Sequence, residues 1–411
     1  MSKQKLKKMV EAGMNVCRLN FSHSDHLWHK KAIANIRAVE KSVGQKIGIM
    51  ADLQGPRIRV VNKGELLARK GKDILLTDID GGKKSRRKNK LVFDWDGFYN
   101  YLKPGAKVFI EDGLIQLVVK EIVAQGCLAE VVVEGVVKPH KAVNIPSISS
   151  RMNVLTEKDL ADLEFAIRQR VDMIALSFVG NKTDIHKVRK MVEYFIEYKR
   201  PFYTADNLLD KENYQPWIIS KIERRLAVKN LVDIIKVSDG IMIARGDLAV
   251  EMPQKKVALL ELEILRKARR ARKPVIVATQ MLASMENNNR PTRAEIADVT
   301  TAVINHSDAV MLSGETAMGK YPVLVVETMA EIIKSVERSK YDNVRLRNNR
   351  WTRLLFGSNG KSRRRMKTAQ DLDELLKLSA LRQEKTKLRL SKRRLADWGK
   401  ASLVWGVETK V

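Results

Sequence analysis

Cysteine is almost absent: Cys17 and Cys127 are the only two in 411 residues. Two isolated thiols exclude a disulfide framework and lack metal-ligand spacing, so a reducing, cytoplasmic setting is expected. Long apolar runs are missing as well. None approaches the roughly 20 residues of a membrane span, and the opening MSKQKLKKMVEAGMNV lacks the continuous apolar centre of a secretory signal. Acidic residues are scarce beside basic ones, 48 Asp and Glu against 77 Lys and Arg, for a formal net charge of +29. That balance suits an acidic substrate, a nucleic acid or a heavily solvated surface. It is unevenly spread: residues 339–411 hold 20 Lys and Arg against 7 Asp and Glu, a surplus of +13. They read as a separate basic appendage.

What the chain does have is apolar residues, 44% of the total, enough for a large core and more than one domain. The stretch GIMIARGDLAVEM (240–252) poses the central question. An apolar run typical of a buried strand ends in Arg245, Gly246 and Asp247, two opposite charges around a glycine. VCRLNFSH (16–23), KIGIMADLQGPRIR (46–59), VDMIALSFV (171–179), WIISKIER (217–224), PVIVATQML (274–282) and DAVMLSGETA (308–317) follow the same design. Helical patterns at 157–170, 255–272 and 321–338 lie between many of them. Strand alternating with helix predicts a parallel sheet, and seven such strands approach the eight of a (β/α)8 TIM-type barrel. In that fold functional side chains gather at the C-terminal ends of the strands, so the charged ends are expected to share one pocket.

One segment breaks the alternation. About eighty residues after Arg59 show period-two patterning and glycine turns, and KPGAKVFIEDGLIQLVV reads as a hairpin around Asp-Gly. The expected organisation is barrel over 1–59, an inserted all-β lid over 60–143, barrel over 144–338, and a basic tail over 339–411. The chemistry follows from residue types. Glu223 and Asp247 are hard oxygen ligands, too few for a dedicated cage but suited to Mg2+, which shares its shell with water and substrate. Arg18, Arg59 and Lys221 bring cations to the same rim, as a phosphate-bearing substrate requires. Each signal has an ordinary reading as well. A Lys-Glu pair is commonly a surface ion pair, Asn20 and Ser22 suit a turn or cap, and Thr279 suits a strand.

Taken together, GMNVCRLNFSHSDH, ADLQGPRIR, LTEKDLADLEFAI, IISKIE, SDGIMIARGDLAVE, KPVIVATQMLASM and DAVMLSGETAMGKYP resemble the pyruvate kinase family over residues 5–338. The resemblance implies phosphoryl transfer from phosphoenolpyruvate to ADP in glycolysis, with Mg2+ and often K+. It implies that Arg18 and Arg59 contact phosphate, that His23 and Lys141 contact nucleotide, and that Lys221 stabilises the moving phosphoryl group. Glu223 and Asp247 match the Mg2+ ligands, and Gly246 falls in the backbone cradle for the substrate carboxylate. Thr279 matches the hydroxyl beside the enolate, with Ser313 nearby. Asn20, Ser22, Asp52 and the carbonyl of Leu53 fall at the monovalent-cation positions. Members that need K+ usually carry Glu where this chain has Arg57, so K+ is expected to be dispensable.

The departures from the family are specific. No first barrel strand precedes KLKKMVEAGM, which would leave the strands of VCRLNF and DAVMLS as exposed edges unless another segment pairs with them. Leu226 stands where a polar or acidic residue is preferred, Gly180 where arginine is common, and 202–215 reads as an added loop. Residues 339–411 do not resemble the family's C-terminal domain. They place Leu372, Leu375, Leu376 and Leu381 at helical spacing before a basic stretch. A basic helical tail could pack on the barrel or hold RNA or another polyanion. Two further expectations stand beside the enzyme: a homo-oligomer, and a degenerate remnant of the family without turnover.

Overall fold

The computed structural model describes residues 2–111, 113–148, 153–198, 214–341 and the backbone of 402–407. Seven strands form where the apolar runs predict them. In chain order they are β1 (Val16–Asn20), β2 (Gly48–Asp52), β3 (Met173–Leu176), β4 (Trp217–Ile222), β5 (Gly240–Ala244), β6 (Val275–Ala278) and β7 (Ala309–Leu312). The eighth, β8 (Ser402–Val407), comes from the basic tail. The strands close in the order β1-β8-β7-β6-β5-β4-β3-β2, and every pairing is parallel.

The tail therefore contains a strand within the segment expected to be helical. Val16 stands opposite Val404 and Leu19 opposite Val407, while Ala309 pairs with Ser402 and Leu312 with Trp405. The two strand edges expected to lie exposed are thus joined through β8. SLVWGV is rich in β-branched and aromatic residues, the composition of a strand. The leucine periodicity at 372–381, the added loop up to residue 213 and the proposed polyanion contact lie outside the described residues.

Period-two alternation sorts the strand residues. Val16, Met50, Met173, Ile219, Met242 and Ile276 fill the barrel interior as one apolar cluster. Their neighbours Cys17, Ile49, Ile174, Ile218, Ile241 and Val275 join the larger core between strands and helices. Helices Glu157–Arg168 and Arg293–Ile304 begin with capping boxes on Thr156 and Thr292, and Pro322 opens Pro322–Arg338. At the opposite end of the barrel from the charged strand ends, Asp172, Asp239 and Asp308 each accept the amide of a neighbouring strand, from Ile49, Ile218 and Val275, all at 2.9 Å. This recurrent aspartate fixes strand register at the floor, where the fold places stability rather than chemistry.

Between β2 and β3 the chain builds a second core, running from Ile58 to Ile148. A seven-stranded sheet surrounds it, including the expected hairpin, Lys107–Ile110 against Ile115–Val123. Its first and last threads, Ile58–Arg59 and Ala142–Asn144, pair antiparallel, so the insertion leaves and re-enters the barrel side by side. Among the described residues no helix is long and apolar enough to cross a membrane.

Both cysteines are fully buried, and burial pushes the thiols up, Cys127 to about 12 and Cys17 further. A thiol that is both inaccessible and protonated does not attack disulfide reagents. The native chain should therefore release no colour from a thiol titrant on the minute scale, and two equivalents after denaturation. Rapid reaction of either cysteine in the native state would contradict this packing.

Candidate active site

Alternation that places Val16, Met50, Ala175 and Ile219 inside the barrel also places Arg18, Asp52, Ser177 and Lys221 there, two residues nearer the C-terminal mouth. These four join across four adjacent strands. Arg18 Nε donates to Asp52 Oδ2 at 2.6 Å, and Lys221 Nζ donates to Asp52 Oδ1 at 3.1 Å and to Ser177 Oγ at 2.8 Å. Ser177 Oγ in turn donates to the Leu53 carbonyl at 2.7 Å. Glu223 follows one turn of the alternation later, its Oε1 2.9 Å from Lys221 Nζ and its Oε2 accepting the Phe178 amide at 2.8 Å. All of these charges are nearly excluded from solvent.

Burial on its own would raise the Asp52 carboxyl, but Lys221 and Arg18 outweigh it and hold Asp52 below the ordinary carboxylate range. Lys221 loses to burial and gains more from Asp52 and Glu223, so its ammonium is held above its usual value. Glu223 is the discordant member. Burial pushes it up, Lys221 pulls it down, and the nearby Asp247 carboxylate pushes it up again, leaving it raised. Burial is the largest of these influences, and Asp247 adds to it.

Gly246 and Asp247 lie in the first turn of Arg245–Glu251, directly after β5. The Gly246 amide donates to Thr279 Oγ1 at 2.9 Å, and Thr279 Oγ1 donates to the Ala278 carbonyl at 3.0 Å. Asp247 Oδ1 is 3.5 Å from Arg57 Nη2, and the Arg57 guanidinium also covers the Phe178 ring at 5.6 Å. Asn20 Oδ1 accepts the Ser22 amide at 3.1 Å, and His23 is half-buried in the same loop. Ser313 caps the turn after β7, and its Oγ is buried with no hydrogen-bond partner among the described residues. Arg59 and Lys141 make their contacts on the inserted sheet: Arg59 Nη1 donates to the His140 carbonyl at 3.0 Å, and Lys141 pairs with Glu111.

The two charges of ARGD do not converge. Arg245 turns away from the mouth into the helical layer, where it pairs with Asp298 at 2.6 Å and Glu261 at 3.5 Å. Its Nη2 donates to the carbonyls of Thr279 at 2.8 Å and Gln280 at 3.1 Å. Thr279 and Gln280 have φ of +62° and +55°, a left-handed conformation that is costly for a β-branched residue. Arg245 thus holds the strained turn that presents the Thr279 hydroxyl. Ser177 was also missed from the sequence, although its parity with Met173 and Ala175 marks it as interior.

The family described as "Pyruvate kinase, barrel domain" matches residues 1–326. This chain belongs to the pyruvate kinase family. It is 42% identical over 344 residues to the pyruvate kinase of Sporosarcina psychrophila, covering 82% of this chain and 55% of that one. It is 40% identical over 344 residues to that of Geobacillus stearothermophilus, with the same coverage, 82% and 55%. With the Clostridium perfringens enzyme it shares 38% over 349 residues, 84% of this chain and 70% of the relative. The chain spans about half the length of the first two. Two departures from the pyruvate kinase pattern prove to be neighbours: a Cβ on Gly180 would approach Leu226 Cδ2 to 2.9 Å. A larger residue at 180 would therefore require Leu226 to move.

Arg245→Met would strand Glu261 in the helical layer, and breaking such a buried pair typically costs about 3–5 kcal/mol. Asp247→Asn, on the half-exposed side of Gly246, should cost less than about 1 kcal/mol. Urea unfolding of the two variants checks this, and equal losses would show that Arg245 is not the anchor described.

Proposed function

We propose that the chain transfers the phosphoryl group of phosphoenolpyruvate to ADP, giving pyruvate and ATP. The observation that carries this reading is the Lys221 ammonium, buried and held by Asp52, Ser177 and Glu223 at the mouth of the barrel. In the reaction the bond from phosphorus to the enol oxygen breaks, one to a β-phosphate oxygen of ADP forms, and the enolate is protonated to pyruvate. Such a transfer asks the protein mainly for positioning and for positive charge where negative charge moves. Lys221 supplies that charge, and Asp52, itself pinned by Arg18, keeps the ammonium from swinging out of place. Arg18 and Arg59 supply further charge for phosphate oxygens, and His23 and Lys141 face the nucleotide from the β1 loop and the inserted domain. The Gly246 amide would turn from Thr279 Oγ1 to the substrate carboxylate, which frees the Thr279 hydroxyl to serve the enolate.

The carboxylates fit a divalent cation. Glu223 is held above the ordinary range by burial and by Asp247; these two carboxylates would hold the cation, and its charge would offset that repulsion. Mg2+ tolerates so few protein oxygens because substrate and water complete its shell. When bound it would neutralise charge on the phosphate oxygens.

A monovalent cation is dispensable in this reading. Arg57 adds a fixed guanidinium to the thread that follows Leu53, and the Leu53 carbonyl that would face K+ already accepts Ser177. The activity should be the same in Na+ and K+ buffers, and Arg57→Glu should create a K+ requirement. Strong activation of the unmodified chain by K+ would overturn this assignment.

The central test is a coupled assay of pyruvate release. Lys221→Met should lower turnover by about 10²–10³ while substrate affinity changes little, as for other donors that act mainly on the transition state. If both proteins are folded and equally inactive, the chain is a remnant without turnover and the proposal fails.

A further inference from the structure

The first turn of helix Glu157–Arg168 touches two loops of the site at once. Asp159, fully buried, closes the capping box with Thr156 through Oδ2, which accepts the Thr156 amide at 3.0 Å. Its other oxygen, Oδ1, accepts the Gly55 amide at 3.0 Å. Gly55 lies in Gln54–Gly55–Pro56, the thread that leaves β2 for Arg57, Arg59 and the inserted domain. Its φ is +69°, and a Cβ there would meet Phe178 at 2.8 Å, so neither the peptide nor its neighbours can shift freely.

The adjacent residue grips the other loop. Lys158 Nζ donates to the Phe21 carbonyl at 2.5 Å and to Asp162 Oδ2 at 2.6 Å. Asp162 Oδ1 then holds His26 at 2.7 Å. Phe21 sits between Asn20 and Ser22, its amide donates to the Asp52 carbonyl at 2.9 Å, and its ring stacks on His29 at 4.1 Å. Burial pushes His29 down to about 4, so the ring is neutral at neutral pH, and its Nε2 meets the His23 carbonyl at 3.0 Å.

We propose that Lys158 and Asp159 are positioning residues: the adjacent pair fixes the β1 loop bearing Asn20, Ser22 and His23 and the β2 thread bearing Arg57 and Arg59 to one rigid helix start. Neither side chain touches the reacting atoms. Asp159 sets where the phosphate-binding Arg59 stands relative to Lys221, and Lys158 sets where the nucleotide-facing His23 stands, distances on which near-attack geometry depends. The kinetic consequence rests on the proposed phosphoryl transfer; the structural one does not.

The test has two arms. Hydrogen exchange at the Gly55 amide in the ligand-free chain, measured in Asp159→Ala and in Thr156→Ala, separates the clamp from the helix cap. Exchange should quicken about tenfold or more in Asp159→Ala and stay within about twofold of wild type in Thr156→Ala. Equal rates in both variants would mean that Asp159 serves only the cap, and would overturn its half of the proposal. In Lys158→Met, a half-exposed change that the fold tolerates, exchange over residues 21–25 should quicken while Gly55 stays protected. Turnover should fall about tenfold or more, with a smaller change in KM and recovery in Lys158→Arg. Unchanged exchange over 21–25 would overturn the Lys158 half even if the chain proves to have no turnover at all.

Discussion

Closure of the barrel is the constraint on which the rest depends. A parallel sheet exposes unpaired backbone at both edges unless the edges meet, and here β1 and β7 meet only through β8. Once the sheet is closed, every second residue must enter a single interior. That interior is filled by Val16, Met50, Met173, Ile219 and Met242 along most of its length. Among the described residues, charge enters that interior only toward the C-terminal mouth, at Arg18, Asp52 and Lys221, where Ser177 joins them from the end of a fourth neighbouring strand.

The charges are tolerated because they are shared. Asp52 lies between two cations, and Lys221 between two carboxylates, so the buried network is close to neutral within a few ångströms. Glu223 stays raised by burial and by Asp247 despite Lys221, and the proposed divalent cation would relieve that excess. Arg245 shows the other use of buried charge. It spends its donors on backbone carbonyls and fixes the left-handed turn at Thr279 and Gln280.

Much of this was legible in the sequence. Seven strands could be read from apolar runs because buried parallel strands are continuous and end abruptly in polar residues. The inserted domain could be read from a change of period and from Asp-Gly in the Lys107–Val123 hairpin. The residues at strand ends could be named because charge at the end of a buried run is rare. What stayed hidden depended on contacts between distant segments. SLVWGV is a plausible strand in isolation, but only the register of Val16 with Val404 and Ala309 with Ser402 reveals its place. Arg245 and Asp247 look equivalent along the chain, and only the helix beginning at Arg245 separates them onto different sides of Gly246. Lys158 and Asp159 read as an ordinary helix start, since nothing local announces that Phe21 and Gly55 lie against them.

The most direct measurement is thermal unfolding of the chain with residues 402–411 removed, compared with the intact chain. Two parallel ladders are lost with β8, at about 1 kcal/mol net per hydrogen bond, so the midpoint should fall by on the order of 10 °C. A synthetic peptide of residues 402–411 should recover part of that loss. An unchanged midpoint would mean that the strand does not close the barrel, and would contradict the account from its first step.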